Sequence, residues 1–180
     1  VQACKAQVAK ARPTLADNPD YTAIVNDRQY VRLCQWLDDA RAKGAKTVEL
    51  NPANETFPAE RHKLPPTLVL GCTDDMILMQ EEIFGPILPV IECNGTDDDI
   101  AYINARPRPL ALYYFDRDSS RVNQVTQRTT SGGVTINDTI LHIAQENLPF
   151  GGVGPAGMGA YHGQRGFDTM SHLKGVFHQS

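Results

Sequence analysis

The chain has 180 residues, and its 17 Lys and Arg against 21 Asp and Glu give a formal charge of −4. With 41% hydrophobic and 21% charged residues it has the composition of a globular domain, and the slight acidic excess argues against a nucleic-acid-binding protein. No apolar run approaches the 18 residues that predict a membrane span. We therefore expect neither nucleic acid nor a membrane among its partners.

The beginning of the chain predicts a helix. Val1, Cys4 and Val8 recur at helical spacing, and the segment is too polar to be the apolar core of a signal peptide. Because the chain starts with valine rather than methionine, we expect it to be a piece of a longer protein. Its four cysteines show no C-x-x-C or zinc-like spacing, which predicts reduced thiols in a cytoplasmic protein.

A second helix is predicted from a cap at Asn26 or Asp27 to a stop at Gly44. The residues that recur there at helical spacing are Tyr30, Leu33, Cys34, Trp36, Leu37, Ala40 and Arg41. Such a stripe is typical of a helix that packs one face against a core.

Five short, mostly apolar runs predict strands, at residues 47–50, 67–70, 87–93, 110–115 and 133–137. Two helices are predicted between the later runs, one capped by Thr96 and the other by Asp118 or Ser119. Strands that alternate with amphipathic helices are typical of βαβ units. The sequence therefore predicts one α/β unit, a mostly parallel sheet flanked by helices, with no linker that would divide it into independent domains.

The segment Gln80-Glu-Glu-Ile-Phe-Gly-Pro86 is the first candidate for a functional site. If it is extended, Glu82 and Phe84 share a face, because side chains alternate along a strand. A carboxylate beside an aromatic ring can accept hydrogen bonds from a sugar diol while the ring packs on an attached heterocycle. The alternative is that Glu81 and Glu82 are solvated and Phe84 belongs to the core, since exposed acids are common.

A glycine-rich segment at residues 148–159 is the second candidate, and its residues 152–157 match G-x-G-x-x-G. No strand pattern leads into it and no helix pattern follows, so we interpret it as a loop whose backbone packs closely along a cleft, not as a dinucleotide-binding fingerprint. His142 and His162 flank this loop and are candidates for lining a pocket, although a structural or surface histidine is the commoner role. The histidines show no metal-ligand spacing, so no metal site is predicted.

Several segments of the chain, taken in order, resemble the aldehyde dehydrogenase superfamily in the later part of its catalytic domain. They are residues 66–70, 79–90, 108–113, 131–138, 148–154 and 157–163. The last four point to the class 3-like branch, within which the chain most resembles the bacterial coniferyl aldehyde dehydrogenases. The resemblance covers nearly the whole chain and is weakest around residues 10–60.

The resemblance implies a chemistry and a set of cofactor-binding residues. In this family a cysteine thiolate attacks the aldehyde, hydride passes to NAD or NADP, and a glutamate-activated water hydrolyses the thioester. By resemblance, Glu82 holds the nicotinamide ribose and Phe84 packs beside the nicotinamide. Leu110 and Phe150 match positions near the nicotinamide and the reacting carbon, and His162 matches a position near the cofactor. The resemblance also implies a homodimer, with the C-terminal tail at about residues 164–180 in its contacts.

The chain departs from the family at the catalytic residues. None of its cysteines lies in the G-Q-x-C context of the family nucleophile, and the glutamate base has no counterpart, so no catalytic residue is assigned. The resemblance therefore implies the C-terminal portion of an enzyme that oxidises an aromatic, coniferyl-type or medium-chain aldehyde, and we expect this portion to be inactive alone. Two alternatives stay open, a non-enzymatic binding or assembly module on the same fold and a CoA-acylating relative.

Overall fold

The computed structural model describes all residues from 1 to 180, and they form two compact units, Val1–Glu92 and Cys93–Ser180. This division differs from the single α/β unit that the sequence predicts. Its physical reason is strand pairing, because the first three strands pair only with one another and the last two pair only together. The amino-acid composition does not change at the boundary between the two units, so the sequence does not predict the division.

Unit 1 is built around a three-stranded sheet. Its elements are α1 (Gln2–Ala11), α2 (Asp27–Ala42), β1 (Lys46–Glu49), a 3-10 turn (Ala59–Arg61), β2 (Thr67–Leu70), α3 (Ile77–Gln80) and β3 (Ile87–Val90). The strand order is β1-β2-β3, with β1 antiparallel and β3 parallel to β2. The central strand β2 is buried over its first three residues, as expected for a strand with neighbours on both sides.

The core of unit 1 lies between α2 and the sheet. The Asn26 side chain caps α2 by accepting a hydrogen bond from the Gln29 N–H, and the helix stops at Gly44, whose φ is +93°. The predicted stripe is confirmed at Leu33, Trp36, Leu37 and Ala40, which are buried, whereas its other members are half-buried or, at Arg41, exposed. They pack with Val69, Met76, Leu78 and Ile87. The N-terminal helix is also present as α1, but none of its residues is buried.

Unit 2 holds a two-stranded parallel sheet. Its elements are α4 (Thr96–Asn104), β4 (Ala111–Tyr114), α5 (Ser119–Arg128), β5 (Gly133–Ile136), a 3-10 turn (Gly154–Ala156) and α6 (Gly163–Thr169). Asp118 caps α5, accepting hydrogen bonds from the Ser120 and Arg121 N–H groups. The cap predicted at Thr96 is wrong, because Thr96 is already helical and Gly95, with φ of +136°, takes the cap position.

The α/β fold class is confirmed. All five predicted strands are present, although most are shorter than predicted, and β3 ends at Val90 rather than at Cys93. Of the three strand pairings, β2 with β3 and β4 with β5 are parallel. None of the helices is both long and apolar enough to cross a membrane.

Candidate functional site

Residues 81–85 form a loop between α3 and β3. The backbone leaves the helix in an extended conformation at Glu81 but turns left-handed at Phe84, where φ is +47°. The segment is therefore not a strand. The prediction that Glu82 and Phe84 share a face because strand side chains alternate is wrong. Phe84 is 83% exposed, so the alternative that assigned it to a core is wrong for unit 1.

Glu82 and Phe84 nevertheless meet at one groove. The groove has a volume of about 810 Å³, and its other walls are residues 22–26 and the first turns of α2, with Arg28, Gln29 and Arg32. Both glutamates of the loop are exposed, and the Glu82 carboxylate has no ion-pair partner within the chain. The groove thus presents an open aromatic face, a free carboxylate and arginine side chains, which suits a ligand that combines a flat heterocycle with hydroxyl groups.

Gly85 fixes the end of this loop against the core. A Cβ atom added there would lie 2.5 Å from Leu33 Cδ1, far inside an ordinary carbon–carbon contact. Because Leu33 is fully buried, the loop approaches α2 this closely only with glycine at that position.

A second candidate region lies in unit 2, where five rings make what we call the aromatic cluster: Tyr113, His142, Phe150, Tyr161 and His162. Phe150 is its centre. Its ring centroid lies 5.9 Å from that of His142, 5.7 Å from that of Tyr161 and 6.2 Å from that of His162. Phe150 and Tyr161 also exchange two backbone hydrogen bonds of 2.9 Å, which close the glycine-rich loop at its base.

Two histidine nitrogens in the aromatic cluster are buried without a hydrogen-bond partner. His142 is 8% exposed, and its Nδ1 lies 2.9 Å from Thr135 Oγ1 while its Nε2 is unpaired. In His162 the unpaired atom is Nδ1, and the residue has a left-handed φ of +78°. No three His, Cys, Asp or Glu side chains come together in the way that a metal ion requires.

The glycine-rich loop packs backbone against backbone, as predicted. A Cβ at Gly152 would meet the Ala156 carbonyl and would lie 2.6 Å from the Gly157 nitrogen, and one at Gly151 would meet the Gly159 carbonyl. The loop continues into a 3-10 turn at Gly154–Ala156 instead of an α-helix. This confirms that the G-x-G-x-x-G match is not a dinucleotide-binding fingerprint, which must open a helix after a strand.

The sequence pattern of the aldehyde dehydrogenase family matches residues 1–176. The chain belongs to this family. It is 57% identical over 180 residues to a probable coniferyl aldehyde dehydrogenase of Caulobacter vibrioides, an alignment that covers 99% of this chain and 37% of the relative. It is 48% identical over 174 residues to a coniferyl aldehyde dehydrogenase of a Pseudomonas species, covering 96% of this chain and 36% of the relative.

Solved aldehyde dehydrogenases share the fold. A substrate-bound Staphylococcus aureus AldH matches with a TM-score of 0.80 and 38% identity, over 99% of this chain and 40% of that one. The NAD-dependent aldehyde dehydrogenase of Sinorhizobium meliloti matches with a TM-score of 0.75 and 28% identity, over 86% of this chain and 30% of that one. The chain thus spans little more than a third of the length of its aldehyde dehydrogenase relatives.

The five residues singled out by the family resemblance fall in both units. Glu82 and Phe84 lie in unit 1 at the groove, whereas Leu110, Phe150 and His162 lie in unit 2. Leu110 directly precedes β4 and is 43% exposed, with its carbonyl accepting a hydrogen bond from the Gly133 N–H.

Three of the four cysteines of this aldehyde dehydrogenase chain have thiols whose pKa is raised. Burial raises the pKa of the Cys34 and Cys72 thiols, and a hydrogen bond with Asp99 raises that of Cys93. A raised pKa favours the protonated thiol, which is a poor nucleophile.

Arg32, which no sequence motif singles out, bonds to the backbone of the loop 81–85. The only signal was its position on α2 beside the buried stripe, one turn before Trp36, and that position does not distinguish it from a solvated arginine.

Proposed function

We propose that this chain is the C-terminal portion of the catalytic domain of an NAD(P)-dependent aldehyde dehydrogenase, a cytoplasmic enzyme that oxidises an aromatic, coniferyl-type or medium-chain aldehyde to its carboxylic acid. The observation that carries the proposal is the groove in unit 1, where the Glu82 carboxylate and the open face of Phe84 line one wall. The names of the Caulobacter and Pseudomonas relatives support the coniferyl-type substrate.

The residues at the groove fit a nicotinamide nucleoside. Glu82 is exposed and without an ion-pair partner, so its two oxygens are available to accept hydrogen bonds from the ribose hydroxyls. Phe84 is 83% exposed and presents a ring face against which the flat heterocycle packs. The bound NAD(P)⁺ supplies the hydride acceptor. The part of Glu82 and Phe84 is to orient that acceptor.

In unit 2, the proposed roles of Leu110, Phe150 and His162 are to line the region around the nicotinamide and the reacting carbon. Leu110 and Phe150 are apolar, and the role proposed for them is to shield the aldehyde from water in the parent enzyme. The Phe150 ring is fixed by the aromatic cluster and by its backbone bridge to Tyr161, so it provides a rigid wall.

The Glu82→Gln substitution in the full-length enzyme tests the proposal. The amide keeps the shape but loses the charge on which the hydrogen bonds to the ribose depend, and hydride transfer is sensitive to placement on the order of 1 Å. We expect kcat to fall by about tenfold to a hundredfold, with a smaller change in the aldehyde KM. Glu81→Gln is the matched control, because Glu81 is the exposed neighbour and does not line the groove. An unchanged kcat with only a raised aldehyde KM would contradict the proposed role.

The nucleophile and the base are proposed to lie outside these 180 residues. We therefore expect the purified chain to produce no NADH from coniferyl aldehyde and NAD⁺. Production of NADH in proportion to the amount of pure chain would overturn this part of the proposal.

A homodimer of the parent enzyme, formed in part by residues 164–180, completes the proposal. Five apolar side chains in this tail are between 66% and 94% exposed: Phe167, Met170, Leu173, Val176 and Phe177. A large exposed apolar surface commonly marks an interface. We expect the isolated chain to self-associate in light scattering and to bind a hydrophobic dye, whereas a clean monomer without dye binding would argue against the interface.

A further inference from the structure

The loop that carries Glu82 and Phe84 needs support from outside itself. It belongs to neither α3 nor β3. The Glu81 N–H still bonds to the Ile77 carbonyl oxygen at the end of α3, but no helical or ladder hydrogen bond reaches the middle of the loop, residues 82–84. Its left-handed residue, Phe84, is not glycine, and such a backbone conformation is strained and persists only where neighbouring structure holds it.

Arg32 supplies this support from α2. Its Nη1 donates a hydrogen bond of 3.1 Å to the Glu82 carbonyl oxygen, and its Nη2 donates one of 2.6 Å to the Ile83 carbonyl oxygen. Two consecutive peptide groups of the loop are therefore bound by one planar guanidinium group. A planar group with fixed donor directions restrains both the position and the tilt of the peptides that it binds.

The guanidinium group of Arg32 is itself held in place. Its Nε donates a hydrogen bond of 2.6 Å to Gln29 Oε1, one turn earlier on α2. Its Cζ lies 4.2 Å from the centroid of the Trp36 ring, which is 9% exposed and part of the core of unit 1. The cation–π contact and the hydrogen bond on α2 thus connect the loop to the core through a single side chain.

We propose that Arg32 is a positioning residue, which holds the backbone of Glu82 and Ile83 so that the Glu82 carboxylate and the Phe84 ring face the groove together. The inference rests on the proposed function of those two side chains. It is specific to arginine, because a lysine ammonium keeps the positive charge but cannot bind two carbonyl groups in a plane while stacking on Trp36.

The test uses the full-length enzyme with Arg32→Lys and Arg32→Ala. We expect each to lower kcat by about tenfold or more, since the coenzyme is misplaced, while the aldehyde KM changes much less. Arg41→Ala is the matched control. It removes the same charge from the same helix, but Arg41 bonds to Asp38 and Thr47 and does not touch the loop, so kcat stays at the wild-type value.

Chemical rescue separates positioning from a general loss of stability. Millimolar guanidinium chloride is expected to restore part of the kcat of Arg32→Ala, because the guanidinium ion can stack on Trp36 and bind the two carbonyl groups. Ammonium chloride is not expected to restore kcat. Glu82→Gln is expected to show no such rescue. If Arg32→Ala does not fold, Arg32→Lys, which keeps the charge and most of the stem, carries the kinetic test.

The outcomes separate this inference from the proposed function. A slow Glu82→Gln enzyme together with Arg32 variants of wild-type kcat overturns the inference and leaves the proposed function standing. Wild-type kcat in Glu82→Gln as well as in the Arg32 variants overturns both. Loss of activity in Arg32→Ala that follows only the folded fraction, with no rescue by guanidinium, also overturns the positioning role.

Discussion

Replacing Gly85 by alanine is expected to destabilise unit 1 through a single clash. The new methyl group would lie 2.5 Å from Leu33 Cδ1 and 3.0 Å from Leu33 Cδ2, against the roughly 3.5–4.0 Å of an ordinary contact. The overlap is therefore about 1 Å. Leu33 has no exposed surface and packs with Trp36 and Met76, so it cannot turn aside without disturbing the core.

The magnitude follows from the kind of substitution. An extra methyl group forced into a packed site costs about 1–3 kcal/mol of unfolding free energy. Leu33→Ala alone is expected to cost about 2–5 kcal/mol, because it opens a cavity in the core. With Leu33 shortened to alanine, the methyl group at position 85 has room, so Gly85→Ala should then cost less than about 0.5 kcal/mol.

The assay is urea unfolding of the four members of this cycle, followed by fluorescence. Trp36 is the only tryptophan of the chain and lies in the core of unit 1, so its emission reports on this unit. An equal cost of Gly85→Ala with and without Leu33 would show that the close approach to α2 is not what requires glycine.

Two further predictions concern the glycine-rich loop and the alkaline limit of stability. Gly152→Ala should destabilise unit 2 by about 1–3 kcal/mol in urea unfolding followed by circular dichroism, because its methyl group meets backbone atoms of Ala156 and Gly157. Burial raises the pKa of Tyr21 from 10.0 to about 12, because the folded protein favours the neutral hydroxyl. The contribution of this neutral hydroxyl to the free energy of unfolding is therefore complete below pH 10 and is lost as the pH rises towards 12. In Tyr21→Phe the urea midpoint should fall less between pH 10 and pH 12 than in the wild-type protein. An equal fall in both proteins would refute the proposed contribution of Tyr21.

Local pattern was sufficient to predict the elements with strong periodicity. The stripe on α2 was recognisable because burial repeats at helical spacing, and β2 and β5 were recognisable as short apolar runs, which are typical of strands. The four-residue helix α3 was too short to show a period, and the division into two units depends on which strands pair across the chain, which no local window contains.

The sequence singled out two of the residues that line the groove but not the geometry that brings them there. The family resemblance singled out Glu82 and Phe84, and both line the groove. The left-handed turn at Phe84 was not predicted, because phenylalanine rarely adopts it and the hydrogen bonds to the loop come from Arg32, which lies fifty residues before Glu82. The close backbone packing of the glycine-rich loop was predicted, since runs of glycine indicate close approach, whereas its closure by Phe150 and Tyr161 was not.

The glycine-rich loop also shows where this protein can be engineered. The atoms nearest to Gly151 and Gly152 belong to the backbone, so a larger residue at either position would clash. No second mutation can relieve this clash, because a mutation changes side chains and not backbone atoms. Met158, in the same loop, is fully exposed at 100% and tolerates any side chain on packing grounds. A mutant library built on this loop should therefore keep these glycines invariant and vary Met158, because substitutions there disturb no packed neighbour within the chain.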